Sequence, residues 1–192
     1  MRLYSTNDSS HQVSLQEAVM RGLPPDNGLY MPMSIPLLPA TFWTEARKLS
    51  FPELSYQVAQ TLLGDALPRD VLQHIIYQAL SFDTPVHPLE DHTGILELFH
   101  GPTLAFKDVG ARFMGNLMAY YNRGENRPLT ILVATSGDTG GAVANGFYQK
   151  EGIDVVILYP KGKVSPLQEK QLTTLGHNIQ ALAIEGTFDD CQ

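Results

Sequence analysis

The sequence predicts an α/β protein: an open, mostly parallel sheet flanked by helices, with a mainly helical N-terminal region in front of it. Three observations lead there. From residue 129 the order strand, helix, strand, helix, strand implies parallel strands joined by right-handed crossovers, read here as a doubly wound sheet. The runs "LTILVA" and "DVVILYP" are continuously apolar, as expected for strands covered on both faces. Before residue 85, capping signals and helical spacing prevail. The division is therefore drawn between a mainly helical region, 1–84, and an α/β portion, 85–192.

Taken in order, "MRLYST" reads as a short strand. "SLQEAVMRG" follows with Ser14 as N-cap, Glu17 three residues on and Gly22 as the stop, which makes a short helix. "LPPDNGLYMPMSIPLLP" is dense in Pro and Gly and reads as an ordered loop, its apolar residues arguing against a disordered linker. "SFPELSYQVAQTLLG" repeats the capping pattern with Ser50 and Glu53 and stops at Gly64. "LPRDVLQHIIYQALSF" spaces Val71, Leu72, Ile75, Ile76, Ala79 and Leu80 as a helix does. "TPVHPL" and "GILELFHG" read as short strands around an Asp-His-Thr-Gly turn. "FKDVGARFMGNLMAYYN" reads as a helix with Val109, Phe113, Leu117 and Tyr121 on its inner side, Met114 and Met118 adjacent, weakened by Gly110 and Gly115. After "LTILVA" come a Gly-rich turn and a helix-like "GGAVANGFYQKEG". "DVVILYP" leads into "SPLQEKQLTTLG", with Ser165 as N-cap, Pro166 at N1, Gln168 at N3 and Gly176 as the stop. "NIQALAIEG" is a further strand. In "EGTFDDCQ", Thr187 and Asp190 announce another helix. That helix would hold only about one turn before Gln192, so the chain reads as a fragment with apolar sheet surface left uncovered.

The totals bound the function classes. A net charge of −7 over 192 residues disfavours nonspecific nucleic-acid binding. Cys191 is the only cysteine, which rules out an internal disulfide and fits a reducing compartment. The N-terminus lacks the apolar core of a signal peptide, and no stretch approaches the ~20 apolar residues that span a bilayer. A cytoplasmic protein is expected, without membrane or nucleic-acid partners. His87, His92 and His100 show no metal-ligand spacing, and no metal site is expected.

Two stretches are candidates for chemistry. In "GPTLAFKDVGARFMGN" a lone lysine, Lys107, stands where a helix begins, although a helix start disfavours a cation. It is either a solvated surface charge or an amine kept neutral for nucleophilic or imine chemistry. Helix start and burial both lower a lysine pKa from about 10.4. A P-loop is excluded, since the second glycine and the following Ser/Thr are missing. In "ATSGDTGGAVA" a Gly-rich turn joins a strand's carboxyl end to a helix, where ligands bind in such sheets. Ser136, Thr139 and the N–H groups of Gly137, Gly140 and Gly141 would converge on one anion. The plainer reading is a tight turn with a capped helix. Lys161, Lys163 and Ser165, at the next strand end, suit a phosphate or form a solvated loop.

"HGPTLAFKD" followed by "ATSGDTGGAVA" resembles the threonine synthase family in its longer bacterial and fungal form. "PPDNGLYMP", "FPELSYQVAQTLLGD", "YPKGKVSPLQEKQL" and "EGTFDDCQ" are also similar to family segments, so the resemblance spans the whole chain as an N-terminal portion. It implies a tryptophan-synthase-β-like fold (fold type II), incomplete here, and a pyridoxal 5'-phosphate enzyme converting O-phospho-L-homoserine and water to L-threonine and phosphate. By resemblance Lys107 forms the covalent aldimine with the cofactor, with Phe106 and Asp108 on either side. Ser136, Gly137, Thr139 and Gly140 bind the substrate carboxylate. Asp138, where many relatives of the fold carry Asn, approaches the cofactor ring; ionised, it cannot donate a hydrogen bond. Lys161, Lys163 and Ser165 are candidates for the departing phosphate. The loop for the cofactor phosphate and the residue facing its ring nitrogen belong to later sequence, so the 192-residue chain is expected to be inactive alone. Two alternatives stay open: a phosphohomoserine phospho-lyase releasing 2-ketobutyrate, and a non-catalytic anion-binding α/β module. Oligomeric state is not legible.

Overall fold

The computed structural model describes residues 1–192, which divide into two compact units, Met1–Tyr77 and Gln78–Gln192. No helix is long and apolar enough to cross a membrane.

In the first unit, strand β1 (Arg2–Ser5) pairs antiparallel with β2 (Gln12–Ser14), which runs into helix α1 (Leu15–Arg21). Ser14 caps α1 as expected, its hydroxyl accepting from the Glu17 N–H at 3.1 Å. The Pro/Gly-rich segment is not loop throughout. Tyr30–Pro32 forms strand β3 on the other side of β1, in register from Leu3–Pro32 to Ser5–Tyr30. Pro32 is compatible with this because β3 is an edge strand. Ser5 is fully buried and its hydroxyl donates to the Asp26 carboxylate at 2.7 Å, while that carboxylate accepts the Gly28 N–H at 3.0 Å. The Asp-Asn-Gly turn is thereby tied to the central strand. Leu3, Val13, Leu15 and Ala18 form a core completed by Val19, Tyr30, Leu63 and Ala66.

Helix α2 (Ala40–Glu45) has no side-chain cap, which is why local signals do not mark it. Helix α3 (Phe51–Leu63) has the expected box: the Ser50 N–H and hydroxyl donate to Glu53 at 2.8 and 2.6 Å. Helix α4 (Arg69–Ala79) buries Leu72, Ile75, Ile76 and Ala79, the stripe read from spacing. A three-stranded sheet thus accompanies the helices of this mainly helical region.

The second unit contains the hairpin β4 (Val86–Glu90) and β5 (Thr93–Leu96), helix α5 (Lys107–Tyr121), and the parallel sheet β6 (Leu129–Ala134), β7 (Ile153–Pro160) and β8 (Ile179–Ile184). Helix α6 (Asp138–Phe147) joins β6 to β7 and α7 (Pro166–Thr173) joins β7 to β8. The strand order β6-β7-β8 is sequential, so these crossovers wind one way only, not doubly. Both connecting helices then fall on one face, where Ile153, Val155, Ile157 and Ile179 are buried. On the opposite face Leu132 is 68% exposed and Leu182 48%. The expectation of a strand covered on both faces fails for β6, while the last strand, β8, leaves apolar surface open as expected.

Helix α5 also differs in its buried stripe, which runs through Asp108, Ala111, Gly115, Leu117 and Met118. Val109, Phe113 and Tyr121 are only half-buried. Gly115 marks a close approach more than a weakness. A Cβ there would overlap the Gly146 carbonyl, and one at Gly146 would lie 2.7 Å from the Ala111 carbonyl. The two backbones touch, which only glycines at the crossing allow. Within the second unit the Arg112 guanidinium donates to Ala79 O at 2.8 Å and Gln78 O at 2.6 Å. The terminal helix signal produces a single 3-10 turn, Asp189–Cys191, with the Thr187 hydroxyl and N–H donating to Asp190 at 2.8 and 2.7 Å.

Candidate functional site

Parallel pairing in register puts the carboxyl ends of β6, β7 and β8 on one edge of the sheet. The turn 135–141, the loop 161–165 and the loop 185–187 therefore leave from the same side, the side where ligands approach such sheets.

The turn after β6 is organised by a residue that local reading passes over. Thr135 is 1% exposed, and its hydroxyl oxygen accepts the N–H groups of Gly137 at 3.0 Å and Gly140 at 2.9 Å. The Gly141 N–H donates to Gly137 O at 3.2 Å. All three glycine donors expected to converge on an anion are thus engaged inside the protein. The N–H groups of Ser136, Asp138 and Thr139 are left free for a ligand, with the Ser136 and Thr139 hydroxyls beside them. Ser136, Asp138 and Thr139 are exposed, and Gly137 and Gly140 are buried. Gly137 has φ of 150°, a conformation that needs a residue without Cβ.

Helix α7 lays two glutamines against this turn, three residues apart and so on one helix face. Gln168 donates from Nε2 to Asp138 Oδ1 at 2.5 Å, and its amide covers Gly137. The same amide accepts the Ser165 hydroxyl at 2.9 Å, while Ser165 caps α7. Gln171 lies against Gly141 and reaches Thr103 O at 3.5 Å. That weak contact joins the turn to the loop carrying the lysine.

Lys107 is the first residue of α5 and is half-buried. Its amine lies 4.8 Å from the centre of the Phe106 ring and takes part in no ion pair or hydrogen bond of the protein. The apolar residues just before it do not enclose it: Leu104 is 67% and Phe106 60% exposed. Asp108 is fully buried, its carboxylate accepting the Thr103 N–H at 2.9 Å and the Thr103 hydroxyl at 2.6 Å. An anion suits the first turn of a helix, and here it also folds the preceding loop back onto α5. Leu104 holds φ of 59°, uncommon for a bulky residue, and the Thr103–Asp108 clamp keeps it there.

The third group is brought to the same edge but is committed elsewhere. Lys161 pairs with Glu185 at 2.5 Å, both exposed. Lys163 lies near Asp190, whose carboxyl is held below its usual range first by the Thr187 N–H and hydroxyl and further by that lysine. Ser165 is a cap. No cluster of His, Cys, Asp and Glu is arranged to hold a metal. The roles of Gln168 and Gln171 went unread because their partners lie 30 and 68 positions away, although Gln168 had a local signal as N3 of a cap. Thr135 and Asp108 act on partners two to five positions away, but only the folded loop turns those groups toward them.

Residues 2–80 match a family model described as threonine synthase N terminus. Over all 192 residues the chain is 47% identical to threonine synthase of Escherichia coli, covering 44% of that protein. With the Schizosaccharomyces pombe threonine synthase it shares 41% identity over 98% of its length and 40% of the relative's. The solved PLP-bound threonine synthase of Brucella melitensis superposes on the whole chain with a TM-score of 0.92 at 36% identity, the chain covering 42% of it. The E. coli crystal structure gives a TM-score of 0.86 at 46% identity. The chain spans less than half the length of these relatives. Sequence and fold match the N-terminal part of threonine synthases from end to end of these 192 residues.

Proposed function

We propose that this chain carries the lysine and the substrate-facing turn of a pyridoxal-phosphate-dependent lyase that converts O-phospho-L-homoserine and water to L-threonine and phosphate. One observation supports it above others: the amine that opens α5 has no polar partner, and Gln171 joins its loop to the turn whose free donors face outward. When bound, the cofactor supplies the electron sink for chemistry at the carbons next to the substrate amino group. Lys107 is the residue assigned to hold the cofactor aldehyde and, once displaced by substrate, to move protons at Cα and Cβ. Phe106 screens one side of that amine from water.

The free N–H groups and hydroxyls of Ser136 and Thr139, at the start of α6, bind the substrate carboxylate, with Gly137 and Gly140 shaping the turn. Asp138 faces the cofactor as an acceptor, paired with Gln168. Lys161, Lys163 and Ser165 receive the departing phosphate from the neighbouring strand end, which requires Lys161 to leave Glu185. The 192-residue chain alone is read as inactive, because the remaining cofactor contacts are assigned to later sequence.

The test uses the protein expressed at the length its gene encodes. Borohydride reduction with pyridoxal phosphate, then peptide mapping, is expected to label Lys107. Incubation with O-phospho-L-homoserine is expected to give threonine and phosphate in equal amounts. A labelled site elsewhere, or 2-ketobutyrate as the product, overturns the reading.

A further inference from the structure

We infer that Gln168 is a positioning residue for this site: it sets the orientation of Asp138 and couples the 136–140 turn to the loop after β7. The inference rests on the proposed function for its substrate, though not for its geometry. An ionised Asp138 presents only acceptors. Exposed at the mouth of the turn, its side chain would rotate freely in water without a partner. Gln168 supplies one, donating from Nε2 to Oδ1 at 2.5 Å and leaving Oδ2 for whatever enters. The other end of the same amide is fixed as well, because Oε1 accepts from Ser165 at 2.9 Å and the Gln168 N–H donates back to the Ser165 hydroxyl. With both amide ends engaged, only one flip of the side chain satisfies the network.

Gly137 completes the argument. The Gln168 amide occupies the space a Cβ would need, 2.7 Å away, so any side chain at 137 would push the amide off Asp138. Ser165 sits in the loop assigned to phosphate. A phosphate that draws the Ser165 hydroxyl away from Oε1 frees the amide to turn, and Asp138 then loses its donor. Occupation of one subsite is thereby communicated to the other through a single side chain.

The experiment compares Gln168→Ala, Gln168→Glu, Asp138→Asn and the double variant Asp138→Asn/Gln168→Glu at gene length, with cofactor. Gln168→Ala is expected to speed hydrogen exchange at the Gly137 and Gly140 amides, the bonded ones of the turn, and to raise KM for O-phospho-L-homoserine roughly three- to tenfold, with a smaller change in kcat. Gln168→Glu, which sets two carboxylates face to face, is expected to be worse. The double variant restores an amide–carboxylate pair with donor and acceptor exchanged, and is expected to recover the exchange protection. Unchanged exchange in Gln168→Ala, or a double variant no better protected than Gln168→Glu, overturns the inference. Hydrogen exchange reads the turn without turnover, so a wrong substrate leaves that result standing.

Discussion

Residues 1–77 and 78–192 use the same polar residue types for different ends. In the first unit Ser14 meets Glu17 and Ser50 meets Glu53, three positions apart, and each pair ends its work by starting a helix. In the second unit the side chains at the site reach 30 positions from Gln168 to Asp138 and 68 from Gln171 to Thr103. The backbones differ likewise. The first unit closes an antiparallel sheet around its own first strand. The second brings two helices into backbone contact at Gly115 and Gly146 and leaves donors free at one sheet edge. The helix starts of the first unit rest on local polar pairs, whereas the turn at the site adds long-range ones and so depends on packing between elements.

The sharpest way to break this contrast is to disturb the helix crossing. Gly146→Ala is expected to destabilise the second unit by about 3 kcal/mol, because its Cβ meets backbone that cannot swing aside. Gly110→Ala, on the exposed side of α5 with open space around it, is expected to stabilise by about 1 kcal/mol. Denaturant unfolding of both variants compares them directly, and equal effects would remove the case for a backbone contact.

Next comes the turn. Thr135→Val keeps the shape but strands two buried N–H groups, and about 2 kcal/mol of destabilisation is expected; Thr135→Ser, which keeps the oxygen, should lose less. A local cap should matter less than either. Ser50→Ala is expected to cost about 1 kcal/mol in thermal or chemical unfolding. A larger loss than at Thr135 would reverse the ranking of an exposed cap against a buried turn.

The smallest effect is a pH dependence, read on two carboxyls of the first unit. The Ser5 hydroxyl and Gly28 N–H hold the Asp26 carboxyl below its usual value, and the Ser50 hydroxyl and N–H do the same for Glu53. A depressed carboxyl stabilises the fold above its unfolded pKa of about 4, and the contribution disappears as pH falls through the folded value. Melting temperature is therefore expected to decline below about pH 4, and the decline should flatten in a Ser5→Ala/Ser50→Ala variant. An unchanged acid slope would show that neither hydroxyl is responsible.

What the sequence determined by itself is whatever a few neighbouring residues can settle. The caps of α1, α3 and α7, the stripe of α4, the hairpin at 86–96 and the alternation after residue 129 are all short-range matters of hydrogen-bond satisfaction and periodicity. So was the position of Lys107 at a helix start, and the Gly-rich turn at a strand end. Tertiary structure alone decided that Pro32 lies on an edge strand, that Gly115 is a contact, and that β6 is open on one face. It also decided which donors remain free, since Thr135 and Gly137 O take the glycine N–H groups, and it gave the Asp138 carboxylate its donor in Gln168. The reason is physical. A helix start is fixed by atoms within one turn of chain, whereas a free donor is defined by every partner that did not reach it, and those partners come from elements that only packing brings together.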